Sequence, residues 1–246
     1  MERRRFLHRG TVGAFGALVG APLLMADVRS LTSPSVKAPL GQDELRFVQR
    51  PLPNAYGSLE PHIEAETVRL HYGTHHTKYE EEANKDLASS ALVPDTPEAL
   101  FAGISTASLK LRSDAGGAWH HDFFRCNIRS TAAVHDMPGG LGDAFTASFG
   151  TRENFRAKFA DEALSRSGSG WTWPVIANGK PEIGRMPKQD NPLMGDSPLR
   201  GAPIPGLDIW EHAYCLRYQK KRTNHISNWW NVVDRDTVAQ RFSTPK

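Results

Sequence analysis

The sequence has little of several features that mark specialised classes of protein. Its 246 residues include only two cysteines, Cys126 and Cys215, which excludes a disulfide scaffold and a zinc site built from four thiolates. The net charge is only +3. We therefore expect no nucleic-acid partner. Internal repeats and low-complexity tracts are also absent.

What remains is the composition of an ordinary globular protein, with 39% hydrophobic and 23% charged residues. A chain of this length can bury a core as one large domain or two small ones. Six Trp and ten His residues are the unusual part of the composition.

The N-terminus differs in kind from the rest of the chain. Basic residues precede an uncharged apolar run, and Arg3-Arg4-Arg5-Phe6-Leu7 resembles the twin-arginine export pattern. The run is short and interrupted by Pro22, so it makes a poor membrane span. We predict an export signal over residues 1–26, cut near Ala26, and a periplasmic location. A retained anchor or a frayed amphipathic terminus is the alternative.

The segment that follows, residues 27–45, has no periodicity and is predicted to be a linker. Apolar residues then recur at steps of three or four, which predicts helices. The expected helices are a long one from a capping Ser58 to Leu87, a short one opened by Thr96-Pro97-Glu98, a third over Ala118–Ile128 after Gly116-Gly117, and one over Thr151–Leu164.

The pattern changes to that of strands in the C-terminal half. Gly170–Ile176 is rich in aromatic and β-branched residues, and Asn178-Gly179 predicts a hairpin turn into a partner strand over Glu182–Met186. Pro174 favours an edge or irregular position for the first strand. A third strand at Ile204–Ile209 and a last helix over Ala213–Val232 complete the expectation. The fold class is therefore α+β, with a helical domain over residues 46–133 and an α/β domain over 134–246.

Three places bring metal-ligating side chains together. His71, His75 and Tyr79 are four apart and share one helix face, His121 follows His120 on the third helix, and Asp208 precedes His212 by four residues. One carboxylate with several imidazoles suits Fe or Mn when a coordination position stays open. Each cluster alone is equally compatible with core or surface histidines that bind no metal.

With these residues in view, the chain resembles the iron/manganese superoxide dismutase family from about Leu52 to Phe242. The stretches that carry the resemblance, in the family's order, are Leu59-Glu60-Pro61-His62-Ile63, Leu70-His71-Tyr72-Gly73-Thr74-His75-His76, Gly168-Ser169-Gly170-Trp171-Thr172-Trp173, Gln189-Asp190-Asn191-Pro192-Leu193 and Asp208-Ile209-Trp210-Glu211-His212-Ala213-Tyr214. The last is the most specific. The fold implied is an N-terminal helical hairpin domain and a C-terminal domain with a three-stranded antiparallel sheet surrounded by helices.

The resemblance also implies roles for individual residues. One metal ion per chain would be bound by His71, His121, Asp208 and His212, and superoxide would be the substrate. By the same resemblance, His75 and Tyr79 gate the substrate funnel, Gln189 bonds the metal-bound solvent, Trp171 and Trp210 form an apolar wall, Glu211 reaches the neighbouring subunit of a homodimer, and Arg222 lies near the funnel mouth.

Manganese is favoured over iron as the metal. In the manganese type the outer-sphere glutamine comes from the C-terminal half, as Gln189 does, and a glycine stands four residues before the second ligand, as Gly117 does. The iron type more often takes its glutamine from the position of Gly117.

Four departures from the family pattern lie close to the expected site. Arg125 replaces a tryptophan of the pocket wall, and a buried cation there needs a partner or opens the pocket to water. Cys215 replaces an aromatic residue at the dimer contact, His120 replaces an asparagine, and Ala118 stands where histidine is frequent. Cys126 and Cys215 are expected to be unpaired, although an oxidising compartment would allow a disulfide.

Three functions remain open from the sequence. The first is a superoxide dismutase that is exported to the periplasm by the twin-arginine machinery. The second is a divergent protein that keeps the dismutase fold and the metal but has little or no dismutase activity. The third is a helical binding module without a metal.

Overall fold

The computed structural model describes residues 44–130 and 140–244. The predicted signal peptide and nearly all of the predicted linker lie outside the described residues. Within them, the chain packs from its start: the backbone N–H of Leu45 donates to the carbonyl of Pro94 at 2.8 Å, and the Asn84 side chain binds both backbone groups of Phe47. None of the described helices combines the length and apolar character that crossing a membrane requires.

The N-terminal part of the described chain is helical. Its elements are a 3-10 turn at Tyr56–Leu59, α1 (Ala65–Leu70), a π-helical segment (His71–His76), α2 (Thr77–Ser89), α3 (Pro97–Ala102), a 3-10 turn at Ile104–Thr106 and α4 (Leu109–Arg125). Helix α3 begins where predicted, because the Thr96 hydroxyl accepts from the backbone N–H of Ala99 at 3.2 Å. Helices α2 and α4 pack against each other as a hairpin.

The predicted start of the long helix at Ser58 is wrong, because the helix begins at Ala65. Pro61 disfavours helical backbone in the residue before it, and Glu60 is accordingly extended, with a ψ of 147°. Ser58 therefore belongs to the short 3-10 turn. From Ala65 the helical backbone continues through the π-helical segment to Ser89, close to the predicted end.

The predicted start of the third helix after Gly116-Gly117 is also wrong. Helix α4 begins at Leu109, where the Ser108 hydroxyl accepts from the backbone N–H of Leu111 at 3.0 Å. The two glycines lie inside the helix, although glycine there costs about 1 kcal/mol relative to alanine. Both are required by close approach, since a Cβ at Gly116 would overlap the Gln189 carbonyl and one at Gly117 would overlap the Tyr79 ring.

The C-terminal part is built on an antiparallel sheet, and the α+β fold class is confirmed. Strand β1 (Gly170–Ala177) pairs with β2 (Lys180–Pro187), and the turn residues Asn178 and Gly179 have the positive φ angles of 50° and 76° that the predicted hairpin requires. The predicted third strand is split into β3 (Ala202–Pro203) and β4 (Leu207–Asp208). Both pair with the other edge of β1.

This split explains why Pro174 lies in the central strand rather than at the predicted edge. The carbonyl of Pro174 accepts from the N–H of Ile204 at 3.0 Å, so the missing N–H of the proline faces the third strand. The ladder is interrupted there, between β3 and β4. At the interruption Gly206 lies so close to Trp173 that a Cβ would overlap the indole ring.

Helices surround the sheet. They are α5 (Gly140–Phe149), α6 (Arg152–Ser165), α7 (Cys215–Tyr218), α8 (Arg222–Trp229) and α9 (Arg235–Ser243). Helix α6 agrees with the prediction, whereas α5 was not predicted. The expected single helix over Ala213–Val232 is wrong, since a 3-10 turn precedes α7 and the left-handed backbone of Gln219, with φ 51°, separates α7 from α8.

The hairpin and the sheet region meet along α4. Trp119 packs against the hydrophobic clusters of both parts. The Arg112 guanidinium donates to Asp190 at 2.7 Å and to Asp196 at 2.8 Å, which fastens α4 to the loop after β2. Gln189 lies in this loop, so its position is fixed by the helix that it contacts.

The close approach at Gly116 gives a direct test of this packing. Gly116→Ala places a methyl group against a backbone carbonyl, and we expect it to lower the free energy of unfolding by about 1–3 kcal/mol. Gly73→Ala is the matched control, because no heavy atom lies within 4 Å of its added Cβ and it should be neutral or slightly stabilising. Urea denaturation measures both. Equal effects of the two substitutions would contradict the packing argument.

Candidate metal centre

His71 enters the site from the start of the π-helical segment. A π turn is wider than an α turn and recurs at functional sites. The His71 side chain is buried, and its Nε2 lies 2.9 Å from Oδ2 of Asp208. Burial lowers the pKa of His71, although the neighbouring Asp208 carboxylate opposes this shift. The neutral imidazole that results is the form that binds metals.

His121 comes from α4, on the other arm of the hairpin. Its Nδ1 lies 2.8 Å from the carbonyl of Gly117, and since a carbonyl can only accept, Nδ1 carries the proton. Nε2 is then an unprotonated lone pair, buried and without a hydrogen-bond partner. Burial also holds the pKa of His121 well below its ordinary value. A buried lone pair without a donor is the feature that a metal ion satisfies.

Asp208 and His212 come from the sheet region. Asp208 ends β4 and is fully buried, its Oδ1 accepts from the backbone N–H of Trp210 at 2.8 Å, and its Oδ2 lies 3.1 Å from Nε2 of His212. Burial opposes ionisation of this carboxyl, but His212 and His71 outweigh burial and hold the pKa of Asp208 far below its usual range. The carboxylate is therefore charged at neutral pH.

The structure thus gathers His71, His121, Asp208 and His212, with ligand atoms all within 4.8 Å of one another. Three imidazoles and one carboxylate form a ligand set that suits Fe or Mn. The donor set fits such an ion because burial keeps His71 and His121 neutral, the Asp208 carboxylate is charged, and the Nε2 atom of His121 has no protein partner.

His75 and Tyr79 border this cluster, as their spacing suggested. The His75 ring stacks on His212 with ring centroids 4.1 Å apart. Burial lowers the pKa of His75 to about 4, and the neighbouring His212 and His71 contribute to this shift to a smaller extent. The Tyr79 ring lies 5.2 Å from that of His121, and burial raises the pKa of its hydroxyl. Both side chains also line a pocket of about 260 Å³ together with Lys78, Glu82 and Asp114.

Sequence reasoning missed His76. It is buried, and its Nε2 lies 2.8 Å from the Glu80 carboxylate. The π-helical segment turns His71 and His76 inward together, five residues apart. A search at steps of three and four therefore passes over His76, and only the density of histidines in the sequence could have drawn attention to it.

Gln189 is held beside the cluster by three hydrogen bonds. Its Oε1 accepts from the Trp171 indole N–H at 2.9 Å and from Nδ1 of His120 at 2.8 Å, while its Nε2 donates to the Tyr79 hydroxyl at 3.0 Å. Because an indole N–H can only donate, Trp171 fixes which way the amide faces. Burial lowers the pKa of His120 to about 3, so this imidazole is neutral at physiological pH.

Arg125 has the partners that a buried cation needs. Its guanidinium donates to Asp122 and to the carbonyl of Pro51, the latter at 2.9 Å. Asp122 also pairs with Arg50 at the surface. The Arg125 side chain is thus directed to the segment before the first 3-10 turn.

The other residues singled out in the sequence have the following places. Cys126 and Cys215 are free, and Ala118 is buried in the core of the hairpin. Trp171 is buried, Trp210 stacks on His212 at 5.6 Å, and Glu211 is exposed on the single chain. Arg222 donates to the carbonyls of Arg166 at 2.8 Å and Gly168 at 3.2 Å.

The sequence is similar to one family along both parts of the fold. Residues 46–129 match the alpha-hairpin domain of iron/manganese superoxide dismutases, and residues 137–241 match their C-terminal domain. The manganese superoxide dismutase of Acinetobacter baylyi is 37% identical over 199 residues, covering 80% of this chain and 87% of that protein. The manganese superoxide dismutase of Escherichia coli is 38% identical over 202 residues, covering 79% and 97%.

The buried histidines predict how the metal-free protein responds to acid. His75 and His225 have pKa values of about 4, and His120 has one of about 3, against 6.5 in an unfolded chain. Between the folded and the unfolded pKa values, the unfolded chain binds more protons than the folded protein does. The contribution of these histidines to stability is therefore present above pH 6.5 and is lost as the pH falls toward 4.

We therefore expect the urea concentration at the unfolding midpoint of chelator-treated protein to decrease when the pH is lowered from 7 to 5. His120→Asn removes one titrating group while an amide can still donate to Gln189, and the fall should be smaller in this variant. A midpoint that does not change over this range would contradict the assignment of these histidines as buried and neutral.

Proposed function

The chain belongs to the iron/manganese superoxide dismutase family, and from this we propose that it uses manganese, bound by His71, His121, Asp208 and His212, to convert superoxide. Its function is that of a superoxide dismutase, an oxidoreductase that turns two superoxide anions and two protons into dioxygen and hydrogen peroxide. The observation that carries the proposed ligand set is the gathering of three histidines on the Asp208 carboxylate, with the Nε2 lone pair of His121 unpaired.

When bound, the metal supplies the one-electron chemistry that both halves of the reaction need. The chain supplies charge and protons. One carboxylate and three neutral imidazoles leave net positive charge on a bound divalent or trivalent ion, which attracts an anionic substrate. The packing of His71, His121 and Trp171 keeps bulk water from this charge, which strengthens the attraction.

We assign proton supply to Tyr79 and Gln189, with His75 at the entrance. The Tyr79 hydroxyl accepts from the Gln189 amide, so its own O–H is available to donate. Burial raises the pKa of Tyr79, so the hydroxyl keeps its proton at neutral pH. Both Tyr79 and His75 line the pocket that leads to solvent, so protons can be replaced from there.

Two contacts support manganese rather than iron. The glutamine of the site comes from the C-terminal part as Gln189, and its amide already occupies the place beside Tyr79. Gly117 abuts the Tyr79 ring, so a glutamine at position 117 would displace that tyrosine. The relatives at 37–38% identity are manganese superoxide dismutases, which points the same way.

Metal content and turnover test this assignment together. Purified protein is expected to hold about one Mn or Fe per chain and to remove superoxide, with higher turnover after reconstitution with Mn than with Fe. His212→Ala should lose both metal and turnover, because it removes a ligand. The control is His62→Ala, since His62 bonds Asn228 outside the cluster and its loss should leave the metal in place. Metal-replete protein no more active than free metal would overturn the proposal.

The alternative of a metal-binding protein with little activity rests on Arg125, which replaces a tryptophan of the family pattern. The same experiment separates the two, because turnover of the unaltered chain is compared with that of Arg125→Trp. If the substitution raises turnover from near zero, the alternative is correct. A fast unaltered chain excludes it, and the intact hydrogen bonds of Gln189 support that result.

We also propose a homodimer in which Glu211 reaches the partner subunit. Glu211 is exposed on the single chain although it directly precedes His212. Leu216, five residues further on, is 54% exposed, which is unusual for a leucine beside a buried site. A second copy that covers this surface would bury both residues.

Export is proposed from the sequence of residues 1–26. Arg3→Lys with Arg4→Lys should keep the protein in the cytoplasm, because both arginines of the twin-arginine pattern are altered while charge is preserved. Arg9→Lys is the matched control and should be exported. Cell fractionation followed by mass determination of the mature N-terminus measures both. Export of the double variant at the unaltered rate would contradict the proposed route.

A further inference from the structure

A cavity of about 40 Å³ lies behind the metal-centre histidines. Its walls are formed by apolar side chains from the N-terminal part of the described chain, chiefly Leu59, Ile63, Val68 and Phe124, and by the rings of His71 and His121. One water needs roughly 10–15 Å³ of such space, so the cavity has room for a diatomic molecule or for more than one water.

Three of the polar side chains that line the cavity have their hydrogen-bond partners elsewhere. Thr67 donates to Glu64 at 3.1 Å, Asn54 donates to the carbonyl of Ile128 at 3.1 Å, and the Tyr72 hydroxyl donates to the carbonyl of Arg50 at 3.0 Å. The Nε2 atoms of His76 and His121 have no hydrogen-bond partner, but the first lies 2.8 Å from the Glu80 carboxylate and the second belongs to the metal-ligand cluster. A buried water needs two to four polar partners, which these side chains do not supply together. The cavity is therefore suited to an apolar occupant.

Arg125 holds in place the segment that closes one side of this cavity. Its guanidinium donates to the carbonyl of Pro51 at 2.9 Å and so ties the segment 51–55 over the opening. Asn54 makes the second tie through Ile128. Asp122 holds the Arg125 guanidinium at the edge of the cavity that faces Pro51. The volume beside His71 and His121 is therefore left without a side chain.

We propose that this cavity binds dioxygen. The identity of the ligand rests on the proposed function, because dismutation handles superoxide, hydrogen peroxide and dioxygen beside these histidines. Superoxide carries a charge and hydrogen peroxide requires hydrogen bonds, so both lose by transfer into an apolar space. Dioxygen is neutral and apolar and gains by it. The cavity lies against the His71 and His121 rings, apart from the pocket lined by His75, Lys78 and Tyr79.

Xenon is the first probe, because it enters dry apolar cavities and is located directly by X-ray diffraction. Crystals of the metal-loaded protein pressurised with xenon should show one atom between Val68, Ile63 and Phe124. Crystals pressurised with dioxygen should show diatomic density at the same place. Two or more hydrogen-bonded waters there, or an empty cavity under both gases, would overturn the proposal.

Substitutions at Val68 show whether the cavity itself is responsible. Val68→Phe fills the space and should abolish the xenon peak, whereas Val68→Ala enlarges it and should raise the occupancy. Val93→Phe adds the same ring at a position that is 60% exposed, and should leave the peak unchanged. If Val68→Phe does not fold, the response to Val68→Ala decides, since unchanged occupancy would contradict the assignment.

The gas experiments do not depend on activity, so the two proposals can fail separately. Xenon binding in a protein that lacks dismutase turnover would retain the apolar cavity and remove dioxygen as its natural ligand. Turnover without gas binding would retain the dismutase function and overturn the cavity proposal alone.

Discussion

The buried carboxylate of Asp208 is the group on which the rest of the site depends. A charged group without exposure to water is tolerated only when it is paired, and its pairing here comes from His212 beside it and from His71 on the hairpin. The requirement therefore joins the two parts of the fold at one oxygen atom. His121 adds a third imidazole from α4, and its unpaired Nε2 completes the site. Docking of the hairpin on the sheet region and assembly of the metal centre are consequently one event.

A second layer of contacts sets how this centre works. Gln189 is oriented by the Trp171 indole and by His120, and it transmits that orientation to Tyr79. The backbone of the same residue rests on Gly116, while Tyr79 rests on Gly117, so two glycines of α4 make room for the proton-supplying pair. His120 stands where the family pattern has an asparagine, and its Nδ1 donates to Oε1 of Gln189 at 2.8 Å. This departure in sequence therefore supplies a donor that holds the Gln189 amide.

The parts of the fold that were predictable are those governed by local rules. The cap at Thr96 and the hairpin turn at Asn178-Gly179 follow from neighbouring residues alone, and the structure has them. The start of α4 is also set by a local cap, at Ser108, which the prediction passed over. The break at Gln219 rests on a positive φ that the helical periodicity of this stretch does not indicate. Glycine inside α4 looked like a boundary because its reason, the approach of Tyr79 and Gln189, comes from elsewhere in the chain.

The site residues were predictable for a different reason. Their identity came from motifs that resemble a family, whereas the spacing of His71, His75 and Tyr79 alone allowed a structure without a metal. Neither source indicated His76, because its inward direction depends on the π-helical backbone. The cavity beside Arg125 was not predictable either, since the direction of a guanidinium is set by Asp122 and by a carbonyl of a separate segment.

The π-helical segment also limits how this stretch of the chain can vary. Each π turn contains one residue more than an α turn closes. If this segment tightened to a regular α-helix with all its residues kept, everything before it would rotate by about 100° relative to Tyr79. His71 would then leave Asp208 although no ligand had been replaced. The width of this one turn of backbone is therefore itself part of the metal site.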